Sequence, residues 1–196
     1  MKKINCFCGN SFEIKFEENI NLSKFPEVAN QIINNNFMVY TCPLCNKKLT
    51  PEFKTTFHDG KLNITMIPEI DRDRLLTGKI ILTTQQVVVG FPELQEKFII
   101  RKFNFDDRII EIIKLYLLEK INSKVEISIL FHDFINNELV FYIRGLRVTE
   151  TAISKIPLQI YNNIKDDLDN KLKNPDIIEL LAFPYRSVNK ISTEVN

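Results

Sequence analysis

The chain has 196 residues, of which 44% are hydrophobic and 26% are charged, and it contains only 5 Gly and 8 Pro. This composition is typical of a folded globular protein and excludes the disordered, collagen-like and low-complexity classes. The 26 Lys and Arg residues nearly balance the 25 Asp and Glu residues, which leaves a net charge of +1. No overall positive field therefore draws the chain to nucleic acid or to an anionic membrane.

The first 70 residues are predicted to be rich in β-structure. Apolar residues alternate on both sides of the sequence CGN, which predicts a strand, a tight turn and a strand. A helix capped by Ser23 follows, and FMVYTCPLCNKKLTPEF then predicts a second strand, turn and strand. Asp59 and Gly60 predict a further hairpin, because both positions of such a turn favour positive φ.

From Pro68 onward the sequence becomes more helical. Two helices are predicted, one in FPELQEKFIIRKF and one in NFDDRIIEIIKLYLLEKI, with Asn104 or Asp106 as the cap of the second. The apolar residues of this second helix cover an arc that is too wide for a surface helix. We therefore expect it to lie at the centre of the fold.

The last third of the chain is predicted to contain a hairpin and two more helices. An alternating strand begins at Val125 and returns through Asn136 and Asn137, which are typical hairpin residues. Pro157 begins a helix whose apolar residues recur at steps of three and four, and a short helix capped by Asn174 follows. The element order predicts the α+β class.

Four cysteines form two close pairs, Cys6 with Cys8 and Cys42 with Cys45. The chain shows no apolar run of signal-peptide or membrane-span length, so we expect a cytoplasmic protein in which thiols stay reduced. Paired thiolates on neighbouring turns supply the tetrahedral sulfur ligands that structural zinc takes. The two pairs are therefore predicted to bind one structural zinc ion.

The CPLC pair resembles a metal-binding turn more closely than the CFC pair does. In CPLC, backbone N–H groups can point at the thiolates, whereas the side chains of CFC would reach a metal from one side of an extended strand. Reduced thiols that bind no metal, a redox role for CPLC, and replacement of one thiolate by His58 or His132 remain open.

The sequence resembles the CpXC family, which comprises bacterial and archaeal proteins of uncharacterised function named for two Cys-Pro-X-Cys motifs. The residues that carry the resemblance are CFCG, CPLCN, the intervening FPEVANQIINNN and the later FHDG. Less specific similarity in FPELQEKFII and DDRIIEIIK extends the resemblance to residue 120 or so. The CFC pair lacks the proline and one residue of the family motif, and Asn46 stands where a glycine commonly follows the second motif. The resemblance implies a zinc-ribbon-like site with all four cysteines as ligands, and it implies no reaction.

Catalytic residues are not obvious in the sequence. His58 and His132 each precede an aspartate, which is a possible acid–base pair, but each also lies at the end of a predicted strand. Asp106 and Asp107 are explained by the start of a helix. The sequence contains no phosphate-binding glycine loop, no G-x-S-x-G and no H-E-x-x-H. An enzyme is therefore the less favoured interpretation.

These features predict an α+β protein with a zinc-ribbon-like β-rich module over residues 1–70. A helix-rich region with a β-hairpin is predicted over residues 71–196, and the two regions pack as one unit or as two. Interaction with a protein partner is the leading functional hypothesis, because the chain has a scaffold without a visible reactive centre. Nucleic-acid binding through the ribbon is the alternative, and an enzyme with a His–Asp pair comes third.

Overall fold

A computed structural model describes residues 1–82, 86–121, 126–147 and 149–191. Helices and strands both occur, which confirms the predicted α+β class. The contacts divide the chain into a first unit, Met1–Gln95, and a second unit, Glu96–Asn196. The predicted domain boundary between residues 70 and 71 stays a prediction. No helix in the described ranges is both long and apolar enough to cross a membrane.

The first unit is rich in β-structure, as predicted. Two short antiparallel hairpins, β1 with β2 and β4 with β5, carry the two cysteine pairs at their turns. A four-stranded sheet has the order β3-β6-β7-β8, in which only β6 and β7 pair antiparallel. The elements are β1 (Lys2–Asn5), β2 (Ser11–Ile14), β3 (Asn19–Asn21), α1 (Glu27–Ile33), β4 (Tyr40–Thr41), β5 (Lys48–Leu49), β6 (Thr55–His58), β7 (Asn63–Ile67), α2 (Arg72–Leu76) and β8 (Gln86–Val89).

Helix α1 begins later than the sequence pattern predicts. The Oδ1 atom of Asn21 accepts hydrogen bonds from the backbone N–H groups of Ser23 and Lys24, which holds these residues in a turn. The helix therefore begins at Glu27, after Pro26, and Ser23 is not its cap.

The β6–β7 hairpin forms as predicted, but its loop uses different chemistry. Only Gly60 has a positive φ, of +87°, in this loop. Asp59 instead accepts hydrogen bonds through Oδ1 from the N–H groups of Lys61 and Leu62, at 3.0 and 2.8 Å. The expected positive φ at Asp59 is therefore wrong, because its carboxylate closes the loop without it.

The second unit contains helices and a three-stranded antiparallel sheet of order β11-β10-β9. Asn136 and Asn137 turn the chain between β9 and β10 with positive φ at both positions, as predicted. The start of the predicted strand at Val125 lies outside the described residues. The boundary between the two units falls within the helix α3 (Gly90–Lys102). The remaining elements are α4 (Asp107–Lys120), β9 (Ser128–Ile135), β10 (Glu138–Arg147), β11 (Glu150–Pro157), α5 (Leu158–Asp166), α6 (Leu168–Lys171) and α7 (Pro175–Leu180).

The helix caps agree with the sequence at two positions. Asp106 rather than Asn104 caps α4, because its Oδ1 accepts the N–H of Arg108 at 2.9 Å. Asn174 caps α7 through the N–H of Asp176. The helix predicted from Pro157 to Leu172 is interrupted, so that α5 and α6 are separate elements.

Helix α4 is buried on most of its surface, in agreement with its wide apolar arc. Its fully or nearly fully buried side chains include two charged residues among five apolar ones: Ile109, Ile110, Glu111, Ile112, Ile113, Lys114 and Leu115. Charged residues in such a position need partners within the protein, because burial of an unpaired charge is strongly unfavourable.

Candidate metal centre

The Sγ atoms of Cys6, Cys8, Cys42 and Cys45 all lie within 4.8 Å of one another. The Cys6–Cys45 separation is 3.5 Å and the Cys8–Cys42 separation is 3.8 Å. Four sulfurs in a tetrahedron around a zinc ion are about 3.8 Å apart when each bond is about 2.3 Å. The cluster therefore has the dimensions of a tetrathiolate metal site, and all four cysteines are free thiols.

The CFC pair lies on a tight turn rather than on an extended strand. Strand β1 ends at Asn5, and the N–H of Gly9 donates to the carbonyl oxygen of Cys6 at 2.9 Å. The N–H of Cys6 in turn donates to the carbonyl oxygen of Asn10 at 2.8 Å. Gly9 has a φ of +85°, which a glycine adopts without strain. The expected extended geometry is therefore wrong, and the turn brings both thiols to the cluster.

The CPLC pair lies on a turn with the same hydrogen-bond pattern, extended by one residue. The N–H of Cys42 donates to the carbonyl oxygen of Lys47 at 2.9 Å, and the N–H of Asn46 donates to that of Cys42 at 3.0 Å. Each of these bonds spans one residue more than its counterpart in the CFC turn. The missing residue of CFC therefore shortens the turn without removing its hydrogen bonds.

The local hydrogen bonds give two of the thiols very different acidities. Burial raises the pKa of Cys42, but backbone N–H groups of Cys45 and Leu44, the amide of Asn10 and the Cys6 thiol together lower it to about 6. The backbone N–H of Cys8 lowers the pKa of Cys6, whereas burial and the neighbouring thiols raise it to about 12. Cys42 thus ionises more readily than an ordinary thiol, whereas Cys6 needs a cation among the sulfurs to ionise.

The two histidines do not belong to this cluster. The metal-ligand cluster found among the described residues consists of the four cysteines. His58 lies at the end of β6, opposite Asn63 in the sheet register. His132 lies in β9 and stacks on the ring of Tyr142, with 3.9 Å between the ring centroids. The structure does not bring either histidine to the thiols.

Asp106, the first residue of the acidic pair, caps α4 and pairs with Arg108. In addition to the cap bond, Asp106 accepts three hydrogen bonds from the Arg108 side chain, two from Nε at 3.0 and 3.2 Å and one from Nη2 at 2.6 Å. Partial burial raises the pKa of Asp106, but the side chain and backbone of Arg108 lower it below its ordinary value. A carboxylate that is held ionised by a cap and an arginine is not a proton donor for catalysis.

Sequence analysis did not identify a buried ionic network in the second unit. The Lys97 Nζ atom lies 2.9 Å from Glu111 Oε1, and the Lys114 Nζ atom lies 3.0 Å from both carboxylate oxygens of Glu96. Lys114 also contacts Glu111 at 3.1 Å. All four side chains are at least 94% buried. We call these four residues the ionic network. In the sequence, it is indicated only by two charges three residues apart, Glu111 and Lys114, on the wide apolar arc of α4.

The ionic network also binds main-chain groups. Glu96 Oε1 accepts the N–H of Phe131 in β9 at 2.6 Å, and Glu111 Oε2 accepts the N–H of Val188 at 2.9 Å. The next outward N–H of β9, that of Ile129, donates to Asn189 Oδ1 at 3.0 Å. Side chains therefore satisfy these two donors at the outer edge of β9.

The two network carboxylates have opposite pKa shifts. Burial raises the pKa of Glu96 to about 7, against the lowering effect of Lys114. Burial also acts on Glu111, but Lys114 and Lys97 together lower its pKa to about 2. The difference follows from the charges, because Glu111 lies between two ammonium groups at hydrogen-bonding distance.

The fold and the site together define an α+β chain whose two hairpin turns bring four cysteines into one cluster that could hold a metal ion. Residues 4–114 match the family described as CpXC protein, and the chain belongs to this family. It is also similar to an uncharacterized protein of Treponema pallidum (strain Nichols), with 25% identity over 221 aligned positions. That alignment covers 99% of this chain and 100% of the relative. No solved structure matches the chain.

Proposed function

We propose that the first unit is a structural-zinc module of the zinc-ribbon type that presents a surface for a protein partner. The observation that supports it best is the cluster of four Sγ atoms within 4.8 Å. Thiolates are soft ligands that favour zinc over magnesium or calcium, and four of them close the coordination sphere. A closed sphere supports a structural rather than a catalytic role.

The bound zinc would connect the two hairpins of the first unit. Thirty-three residues separate Cys8 from Cys42, and the metal would join the hairpins across this segment. A covalent cross-link over such a loop stabilises a fold by roughly 4 kcal/mol in the chain-entropy treatment. Because the thiolate cluster does not exist in the unfolded chain, zinc binding and folding of this unit are coupled.

Two large apolar side chains support the protein-interaction role. Phe7 lies between the two cysteines of the CFC turn and is 92% exposed, and Leu44 in the CPLC turn is 69% exposed. The turns are adjacent, because the sulfurs of Cys6 and Cys45 are 3.5 Å apart. We call Phe7 and Leu44 the apolar tips; large apolar side chains exposed on neighbouring turns are a feature of protein-interaction surfaces.

Nucleic-acid binding is the competing function. The first unit holds 11 Lys and Arg residues and 10 Asp and Glu residues, so few unbalanced cations are present to displace counterions from phosphates. We expect weak binding to generic DNA or RNA at physiological salt. Sub-micromolar binding under that condition would reverse the order of the two functions.

The metal proposal is tested by zinc content. We expect about one zinc per purified full-length chain for a single closed site, and loss of zinc in single Cys→Ser variants. Cys42→Ser is expected to lose more zinc than Cys8→Ser, because Cys42 is fully buried whereas water can reach the position of Cys8. Ser11→Ala is the matched control outside the cluster. A wild-type chain without zinc, after reducing purification in the presence of the metal, would refute the proposal.

The interaction proposal needs a separate experiment. The zinc-loaded chain is used to capture partners from its own cells, in parallel with Phe7→Ala, Leu44→Ala and the control Ile153→Ala, whose side chain is 61% exposed in β11. We expect a partner that both tip variants lose and the control retains. Equal capture by all variants would show that the apolar tips are not the binding surface.

A further inference from the structure

The four cysteines differ sharply in their access to solvent. Cys42 is fully buried, Cys6 is 5% exposed and Cys45 is half-buried. Cys8 is exposed, because it occupies the third position of the tight CFC turn, next to Gly9. A small reagent in solution therefore reaches the sulfur of Cys8 before it reaches the others.

The sulfur of Cys42 lies within reach of an oxidised Cys8. The Cys8 and Cys42 sulfurs are 3.8 Å apart, and the Cys6 and Cys45 sulfurs form the other close pair at 3.5 Å. Both pairs connect one hairpin with the other. Cys42 thus lies beside the exposed thiol and is itself shielded from direct attack.

We propose that Cys8 is an oxidation site for peroxide, and that its oxidation leads to a Cys8–Cys42 disulfide with release of the metal. The proposal rests on the zinc site proposed above. It extends that site from a static cross-link to one that responds to an oxidant.

The reaction takes place in two steps. The Cys8 thiolate attacks one oxygen of hydrogen peroxide, so that an S–O bond forms, the O–O bond breaks, and hydroxide leaves and takes up a proton to become water. The Cys42 thiolate then attacks the sulfur of the Cys8 sulfenic acid, so that the S–S bond forms and a second hydroxide leaves and is protonated. The two thiolates lose two electrons, which the peroxide gains, and zinc loses two of its four ligands.

The oxidised product would keep the hairpins joined through Cys8 and Cys42 and would lose the link through Cys6 and Cys45. The new disulfide joins the same two turns that the metal joined, whereas Cys6 and Cys45 become free thiols. The apolar tips Phe7 and Leu44 would then lie on turns that are held by one bond instead of four metal–sulfur bonds. Oxidation would therefore alter the surface that we propose for the partner without unfolding the first unit.

The experiment uses the full-length, zinc-loaded chain with substoichiometric hydrogen peroxide. Zinc release is followed with a chromogenic chelator, sulfenic acid is trapped with dimedone, and disulfides are mapped by mass spectrometry of non-reduced peptides. We expect the first dimedone adduct on Cys8, the first disulfide between Cys8 and Cys42, and zinc release in proportion to that disulfide. Cys8→Ser chains that still hold zinc are expected to release it at least about tenfold more slowly than the wild type when peroxide is added.

Cys42→Ser serves as the matched variant, because it should accumulate the Cys8 adduct without a disulfide to residue 42. First oxidation at another cysteine, or a first disulfide between Cys6 and Cys45, would overturn the proposal. The adduct and disulfide maps of the wild-type chain decide this even if a variant fails to fold. A chain without zinc before peroxide is added would overturn the zinc site and the release step, whereas the same maps would still test the choice of Cys8 and Cys42.

Discussion

Asn46 occupies a backbone conformation that few residues tolerate. Its φ is +58°, in the left-handed region, and Gly9 has the equivalent position in the CFC turn with a φ of +85°. Asparagine is the residue other than glycine that adopts this region most readily. Each turn therefore leaves its second cysteine through a left-handed residue, and Asn46 can take the place of the glycine that is common in the family.

A substitution at Asn46 should change the affinity for zinc. We expect Asn46→Val to weaken zinc binding by roughly 5- to 30-fold, because a β-branched residue at positive φ strains the turn by about 1–2 kcal/mol. Asn46→Gly is the matched control and should bind zinc as tightly as the wild type. Competition with a chelator of known affinity measures both, and equal affinity of the two variants would contradict the role of this conformation.

The four cysteines of the cluster could be selected from the sequence, but the geometry of one pair could not. Cysteine spacing is local information, and it was sufficient to select Cys6, Cys8, Cys42 and Cys45, which the structure brings together. A spacing of one intervening residue is compatible with a strand or with a turn. The hydrogen bond from the N–H of Gly9 to the carbonyl oxygen of Cys6 closes the turn, and the residue pattern does not specify this bond.

At the level of elements, α4 is organised around paired charges as well as apolar packing. Lys114 is fully buried and lies within 3.1 Å of Glu96 and Glu111. Removal of one member of such a group leaves a buried charge without its partner, which is much less favourable than the loss of a surface ion pair. The ionic network is therefore a sensitive point in the stability of the second unit.

Lys114→Met is expected to lower the free energy of unfolding of the second unit by about 3–5 kcal/mol. Lys120→Met removes the same type of charge from an exposed position of the same helix, and it should change this free energy by less than about 0.5 kcal/mol. Hydrogen exchange of the α4 amides in increasing urea measures the effect. A similar result for both variants would show that the network contributes no special stability.

Elements without a clear periodicity were the ones that the sequence did not predict. Strand β11 alternates only between half-buried and exposed positions, and its apolar residues occupy both kinds, because Ile153 is exposed and Ile156 is half-buried. Strand β8 has three consecutive buried valines and is fixed by parallel pairing with β7. Strands of these two kinds depend on their neighbours in the sheet, which a local pattern does not contain.

At the scale of the whole molecule, the metal would stabilise only one of the two units. All four cysteines lie in the first unit, whereas the second has its own apolar core and the ionic network. Loss of the metal should therefore loosen the first unit selectively, because zinc binding is coupled to its folding.

A strong chelator is expected to abolish the hydrogen-exchange protection of the hairpins at residues 2–14 and 40–49. The amides of α4 and of the β9–β10 pair should keep their protection. Hydrogen exchange with and without chelator measures both regions in one sample, and addition of excess zinc should restore the hairpins. Equal loss of protection in both units would contradict a local role of the metal.

The partner of the chain could not be predicted from the sequence. The proposed binding surface is formed by Phe7 and Leu44, which lie 37 positions apart on two turns that come together only when the cysteines converge. Each exposed side chain stands between the two cysteines of a pair, where the spacing of the cysteines does not specify the residue. The proposed function therefore depends on the same long-range contact that creates the cysteine cluster.

The three-stranded sheet of the second unit is closed at one edge and open at the other. Along β9, Glu96 and Asn189 already bind the outward N–H groups of Phe131 and Ile129. Within the described residues, β11 forms the opposite edge and pairs only with β10. A further strand can therefore pair with this sheet at the β11 edge. At the β9 edge, the side chains that bind the outward N–H groups block such pairing.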